Sequence, residues 1–123
     1  MDIDVSKTKA YYESVTEESL CDCAYCRSYR SQIRRAYPQT ALWLDSIGVD
    51  IEKPFETSPL EPDEKGMLAY CACQYIVFGC CEPEYSHKIG DVEIRMATSY
   101  PRTGIEEVHF VMELFPIRLK YIP

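Results

Sequence analysis

The chain lacks most of the motifs that announce a chemistry. It has no Walker loop, no G-x-G-x-x-G and no H-E-x-x-H, so the phosphate cradles and the helix-borne zinc pair those patterns build are excluded. Histidine occurs twice and tryptophan once. No run of about 18 apolar residues exists to span a bilayer. Nor does a basic stretch followed by an apolar one mark the start as a secretory signal, so the cytoplasm is the expected compartment. Positive charge is scarce: 13 Lys and Arg stand against 20 Asp and Glu, a net charge of −7. A duplex-binding protein must neutralise phosphates and an anionic membrane attracts basic segments. The balance therefore points away from nucleic acid and membrane, and toward a neutral or basic partner.

What remains is an ordinary globular composition, 46% apolar and 27% charged over 123 residues. That length is one domain, residues 1–123. Such a chain buries roughly two-thirds of the surface its unfolded form exposes, so it needs no metal or disulfide merely to fold. Seven cysteines are present. An odd number cannot pair completely within a monomer, and a reducing compartment keeps them as thiols. Three readings are open for them: core packing, metal ligation and thiol chemistry.

Residues 7–15 (KTKAYYESV) mix β-formers with polar residues and predict a first strand. Ser19 with Asp22 resembles a capping box. Leu20, Cys23, Cys26, Tyr29, Ile33 and Ala36 follow at helical spacing, and Pro38 ends that helix. A second helix fits Gln39–Ile47, with Gly48 at the left-handed position past its end. The Pro-rich stretch from Glu52 to Gly66 predicts a long surface loop, with a short extended piece around Pro54–Thr57. Met67–Cys80 is apolar on both faces, as a central covered strand is; a buried helix is the rival, and Tyr75, Ile76, Val77 and Phe78 favour the strand. Ile89–Ala97 and Val108–Phe115 alternate and predict two more strands, joined by a hairpin around Tyr100–Gly104. Helices followed by strands predict an α+β fold. Two N-terminal helices would pack on one face of a mostly antiparallel sheet of about four strands.

Cys21-Asp-Cys23-Ala-Tyr-Cys26 is the sharpest chemical feature. Zinc favours thiolates, and C-x-x-C is a recurrent half-site. Cys71, Cys73, Cys80, Cys81, His87 and His109 are candidates for completing it. A helix capped at Ser19 turns Cys21 about 200° from Cys23. The three sulfurs converge only if the helix starts later. Cys71 and Cys73, two apart in a strand, share a face about 6.7 Å apart. If that strand lies under the helix, they and Cys23 and Cys26 make a four-cysteine zinc site. The rival reading makes these cysteines small buried apolar side chains. Cys80 and Cys81 read as free thiols, with Cys81 exposed and oxidisable.

Arg27, Arg30 and Arg34 fall on one helix face. Guanidinium forks suit carboxylates and phosphates, so the row is a candidate partner site; a solvated face paired with nearby acids is the alternative. His87 and His109 read as surface residues, although His109 and Glu113 would suit an acid–base pair. No nucleophile is tied to either histidine by a motif.

The run Cys21 to Arg27, followed by a helix and by Ile47-Gly48-Val49-Asp50-Ile51-Glu52-Lys53-Pro54-Phe55-Glu56, resembles small uncharacterised bacterial proteins. In those a C-x-C-x-x-C-[RK] run precedes a helix, an LGID…KP segment and several strands. The Phe110–Leu119 run is similar as well, so the resemblance spans most of the chain. It implies a bacterial cytoplasmic origin and a single compact domain, and no activity. The functional expectation is a non-catalytic interaction module, acting through a protein partner or a second copy of itself. The alternative is a zinc-binding protein with a cysteine-rich structural site, and an enzyme with a reactive thiol is the third class.

Overall fold

The computed structural model describes residues 1–123. The elements run β1 (Asp2–Ile3), α1 (Val5–Ser14), a 3-10 turn (Glu17–Ser19), α2 (Ala24–Ala36), α3 (Pro38–Ser46), β2 (Glu56–Pro59), β3 (Met67–Cys80), β4 (Ser86–Ile89), β5 (Val92–Met96), β6 (His109–Phe115) and β7 (Ile117–Lys120). The α+β class holds. The count does not: three helices accompany a curled, wholly antiparallel sheet of seven strands, several of them short.

β3 is the spine. Along one edge it pairs with β6 through Cys73–Phe78 and with β7 through Met67–Tyr70. β5 and β4 continue the sheet beyond β6. The other edge takes β2 at Tyr70–Gln74 and β1 at Gly79–Cys80. Between those two short strands lie the peptide groups of Ile76 and Phe78, and α1 satisfies them. The Tyr12 hydroxyl donates to the Ile76 carbonyl (2.8 Å), the Phe78 N–H donates to Thr8 Oγ1 (3.1 Å), and the Asp4 N–H donates to the Phe78 carbonyl (2.9 Å). An edge left bare would invite pairing with another chain.

The strand expected over residues 7–15 is thus a helix. Asp4 starts it, accepting the Lys7 N–H at 3.0 Å as an N-cap. Thr8 and Tyr12, four residues apart, form its buried face. α2 also departs from expectation, beginning at Ala24 and not after Ser19. Ser19 Oγ donates to the Thr16 carbonyl (2.8 Å) and closes the 3-10 turn instead of capping a helix. Past α3, Gly48 adopts φ +89°. Its N–H bonds the Asp45 carbonyl (3.1 Å) while that of Val49 bonds the Leu44 carbonyl (3.0 Å), the Schellman arrangement. A Cβ on Gly48 would also sit 2.7 Å from the Val5 carbonyl of α1, so glycine permits both the turn and the approach of α1.

The predicted loop over 52–66 contains β2, close to the extended piece expected there. The predicted strand over 89–97 is two strands. Gly90, at φ +59°, turns the chain in a two-residue hairpin that pairs Ile89 with Val92. Pro116 divides β6 from β7, so the C-terminal segment is a paired strand. Val108, the first residue of the strand predicted over 108–115 and expected inward, lies outside β6 and is 70% exposed.

The main core lies between the helices and the sheet. Tyr29 and Ile33 of α2, Leu44 of α3, Tyr70, Cys73, Tyr75 and Val77 of β3, and Ile117 and Leu119 of β7 belong to it. A smaller cluster of Ile76, Phe78, Ala97 and Val111 covers the opposite face. α2 is also tied to the C-terminal strand by polar bonds. Ser28 exchanges hydrogen bonds with the Ile122 backbone (3.0 and 2.9 Å), and Gln32 with that of Lys120 (2.6 and 3.2 Å). These contacts fix the helix whose first turn carries the cysteines.

Candidate metal centre

Cys23 is the N-cap of α2. Its extended backbone (φ −72°, ψ 162°) turns the side chain back over the first turn, where Sγ accepts the Cys26 N–H at 3.4 Å. A sulfur here takes the place a Ser or Asp oxygen commonly fills. Cys26 lies inside the turn, half-buried, with Sγ 3.8 Å from Thr57 Oγ1 of β2. Cys21 arrives from the segment before the helix. Arg30, one turn further along α2, donates to the Cys21 carbonyl (2.5 Å), and Arg27 donates to that of Asp22. These two guanidiniums fold residues 21–22 back over the helix start. The sulfurs of Cys21, Cys23 and Cys26 consequently lie within 4.8 Å of one another. The later helix start removes the 200° separation that a cap at Ser19 would have imposed.

Three convergent thiols have the donor set of a soft metal ion, and the cluster can hold one. Zinc bound to sulfur at about 2.3 Å in a tetrahedron places its ligand atoms about 3.8 Å apart. The cluster therefore closes by at most about 1 Å on loading, within reach of side-chain rotation at the exposed Cys21 and Cys23. The electrostatics set Cys23 apart from Cys26. Burial opposes charge on Cys23, but the Cys26 N–H and the neighbouring thiols outweigh it and lower its pKa. Burial, followed by the adjoining Cys21 and Cys23, pushes Cys26 up to about 12. A hollow of about 80 Å³ opens beside Cys21 and Cys26, walled by Leu20, Arg30, Phe55 and Thr57.

Cys71 and Cys73 do not join the cluster. They were expected on one face, yet Cys71 is exposed and Cys73 fully buried. A β-bulge explains it: β2 advances from Thr57 to Pro59 while β3 advances from Cys73 to Tyr70. The extra residue shifts the alternation by one, flipping the side chain to the other face. Cys73 belongs to the main core, and burial pushes its pKa up to about 12. All seven cysteines are free thiols; Cys80 is exposed and Cys81 half-buried, the reverse of emphasis expected for that pair.

The arginine row is occupied from within the chain. Beyond Arg27 and Arg30, Arg34 meets Glu52 (2.7 Å), Asp45 (3.0 Å) and Asp50 (3.1 Å). These bonds, that to Glu52 foremost, raise its pKa and tie α2 to α3 and the following turn. His109 places Nε2 2.9 Å from Thr103 Oγ1 and Nδ1 2.7 Å from the Glu107 carbonyl. Glu113 bonds Arg95 (2.7 Å) and Gln74 (3.1 Å) instead. The imagined histidine–glutamate pair is thus two separate local networks. His87 stacks 5.4 Å from Trp43. Sequence reading missed the network in which exposed Arg95 meets the buried Glu113 and Gln74, for which an acid inside the apolar run 108–115 was the available signal. It also missed the clamping role of Arg27 and Arg30, for which there was none.

No helix is long and apolar enough to cross a membrane. Comparison with known proteins returned no matching family model, curated protein or solved structure.

Proposed function

We propose that the chain binds one zinc ion through Cys21, Cys23 and Cys26, with solvent at the fourth tetrahedral position. The observation that carries this reading is the convergence of three sulfurs within 4.8 Å at the start of a well-anchored helix. Thiolate ligands favour zinc among the divalent ions common in a reducing setting. Zinc there would cross-link residues 21–23 to the first turn of α2, making permanent a fold-back that Arg27 and Arg30 already favour. The interaction-module reading ranks second, because Arg27, Arg30 and Arg34 have their donors engaged inside the chain.

Competition for zinc against a chromophoric chelator tests the proposal, using reduced wild type and Cys26→Ser. Wild type withdraws one equivalent and the variant withdraws far less. Absence of competition by wild type, or equal uptake by both, overturns it.

A further inference from the structure

Cys23 and Cys26 form a C-x-x-C pair across the start of α2, a thirteen-residue helix. Their surroundings are unequal in a useful way. Cys23 is exposed, so a disulfide in solution can reach its sulfur. Cys26 is half-buried against Thr57 of β2 and is screened from the same approach. The Cys26 N–H points at Cys23 Sγ (3.4 Å). That contact holds the Cys23 sulfur at the outer end of the helix, on the solvent side of Cys26.

The pair can also close. Residues three apart on a helix have Cβ atoms about 5–6 Å apart, somewhat wider than a disulfide requires. Cys23, however, stands at the N-cap with an extended backbone, where its position adjusts without breaking the helical ladder. Cys21 shares the cluster and is exposed too, but it stands outside the helix, whereas Cys23 is the N-cap held by the Cys26 N–H. Cys73 is sealed in the core, which leaves Cys71 without a reachable resolving thiol on its strand. Cys80 and Cys81 are adjacent in the chain.

We propose that the metal-free chain carries out thiol–disulfide exchange with small accessible disulfides, Cys23 as the attacking sulfur and Cys26 as the resolving one. The Cys23 thiolate attacks one substrate sulfur. A Cys23–substrate bond forms, the substrate S–S bond breaks, and the departing thiolate takes up the proton that Cys23 released. Cys26 then loses its proton and attacks Cys23 Sγ. The Cys23–Cys26 bond forms and the second substrate thiolate leaves with that proton. The substrate disulfide gains two electrons and two protons and becomes two thiols, while the two protein thiols become one disulfide. The activity does not depend on the zinc reading, but the two states exclude each other. A sulfur in a disulfide is no thiolate ligand, so exchange would release a bound metal.

The test treats reduced, metal-free full-length protein with oxidised glutathione. Reaction is stopped by acid at intervals, free thiols are alkylated, and the cysteines are mapped by peptide mass spectrometry. In wild type, glutathione appears first on Cys23 and is replaced by a Cys23–Cys26 bond. Cys26→Ser holds the glutathione on Cys23, and Cys23→Ser loses the fast reaction at this site. Equal labelling of Cys23, Cys71 and Cys80 overturns the proposal. So does a product disulfide that uses Cys21 or Cys81. Should either variant fail to fold by circular dichroism, the wild-type time course decides alone: glutathione on Cys23 must precede the Cys23–Cys26 bond. Because no metal is present, failure here leaves the zinc reading untouched, and failure of the zinc competition leaves this one standing.

Discussion

Tyr75→Phe removes a single oxygen from the layer between α2 and β3, and its cost can be worked from the hydrogen bonds around it. Tyr29 and Tyr75 are both fully buried, and burial raises the pKa of each, so both hydroxyls keep their protons. The Tyr75 hydroxyl donates to the Ile51 carbonyl at 2.7 Å and lies 2.5 Å from that of Tyr29. A phenol has one hydrogen. Tyr75 has committed its own to Ile51, so Tyr29 is the donor between the two. Tyr75→Phe therefore leaves the Ile51 carbonyl unmatched and the Tyr29 hydroxyl with only the weakly accepting Cys73 sulfur. At about 2 kcal/mol for the orphaned carbonyl and about 1 kcal/mol for the hydroxyl that keeps a sulfur neighbour, the loss comes to about 3 kcal/mol. Tyr29→Phe removes only the incoming donor to an oxygen whose own hydrogen stays placed, a loss of about 1 kcal/mol. An unfolding entropy of about 2.1 cal/mol/K per residue converts each kcal/mol into about 4 °C for this length of chain. The expected drops in Tm are thus about 12 °C for Tyr75→Phe and about 4 °C for Tyr29→Phe. Urea unfolding and thermal melts of both variants check the ordering. If Tyr29→Phe costs as much as Tyr75→Phe, the direction of the chain is wrong and the reasoning fails.

Other outcomes follow from the same contacts. Arg30→Ala frees the Cys21 carbonyl and weakens zinc binding by about 1 kcal/mol, roughly fivefold in Kd; Cys71→Ser, in the exposed stretch beyond the bulge, leaves it unchanged. Zinc affinity rises with pH across neutrality. Cys26, held up to about 12 without metal, carries a proton there that the ion must displace, worth about tenfold in Kd per pH unit for each proton released. Affinity independent of pH would contradict ligation by that thiol. Gly48→Ala forces a side chain into φ +89° and against the Val5 carbonyl, costing about 2 kcal/mol or more in urea unfolding, whereas Gly90→Ala, with open space around it, costs less.

How much of this could be read from the chain depends on how local each cause is. β3 was legible because Met67–Cys80 is apolar on both faces, and Tyr75, Ile76, Val77 and Phe78 favour a strand over the rival buried helix. Gly48 was legible because a helix stop requires a residue free to take positive φ. α1 was misread because Tyr11, Tyr12 and Val15 carry strand propensity. What decides its state is remote: the peptide groups of Ile76 and Phe78, which Thr8 and Tyr12 reach only as neighbours on a helix. The start of α2 was misplaced by a serine whose hydroxyl turns toward Thr16. That error governed the site, since the geometry of Cys21 against Cys23 depends on where the helix begins. The bulge that separates Cys71 from Cys73 has no residue signature at all. It arises in the register between β2 and β3, a property of two segments and not of either one.

The most direct test of the central claim is a native mass spectrum of protein purified under reducing conditions, without chelator or affinity-column metal. The account predicts one zinc per chain in wild type and none in Cys26→Ser. A metal-free wild-type chain, or a zinc adduct that survives loss of Cys26, would contradict it.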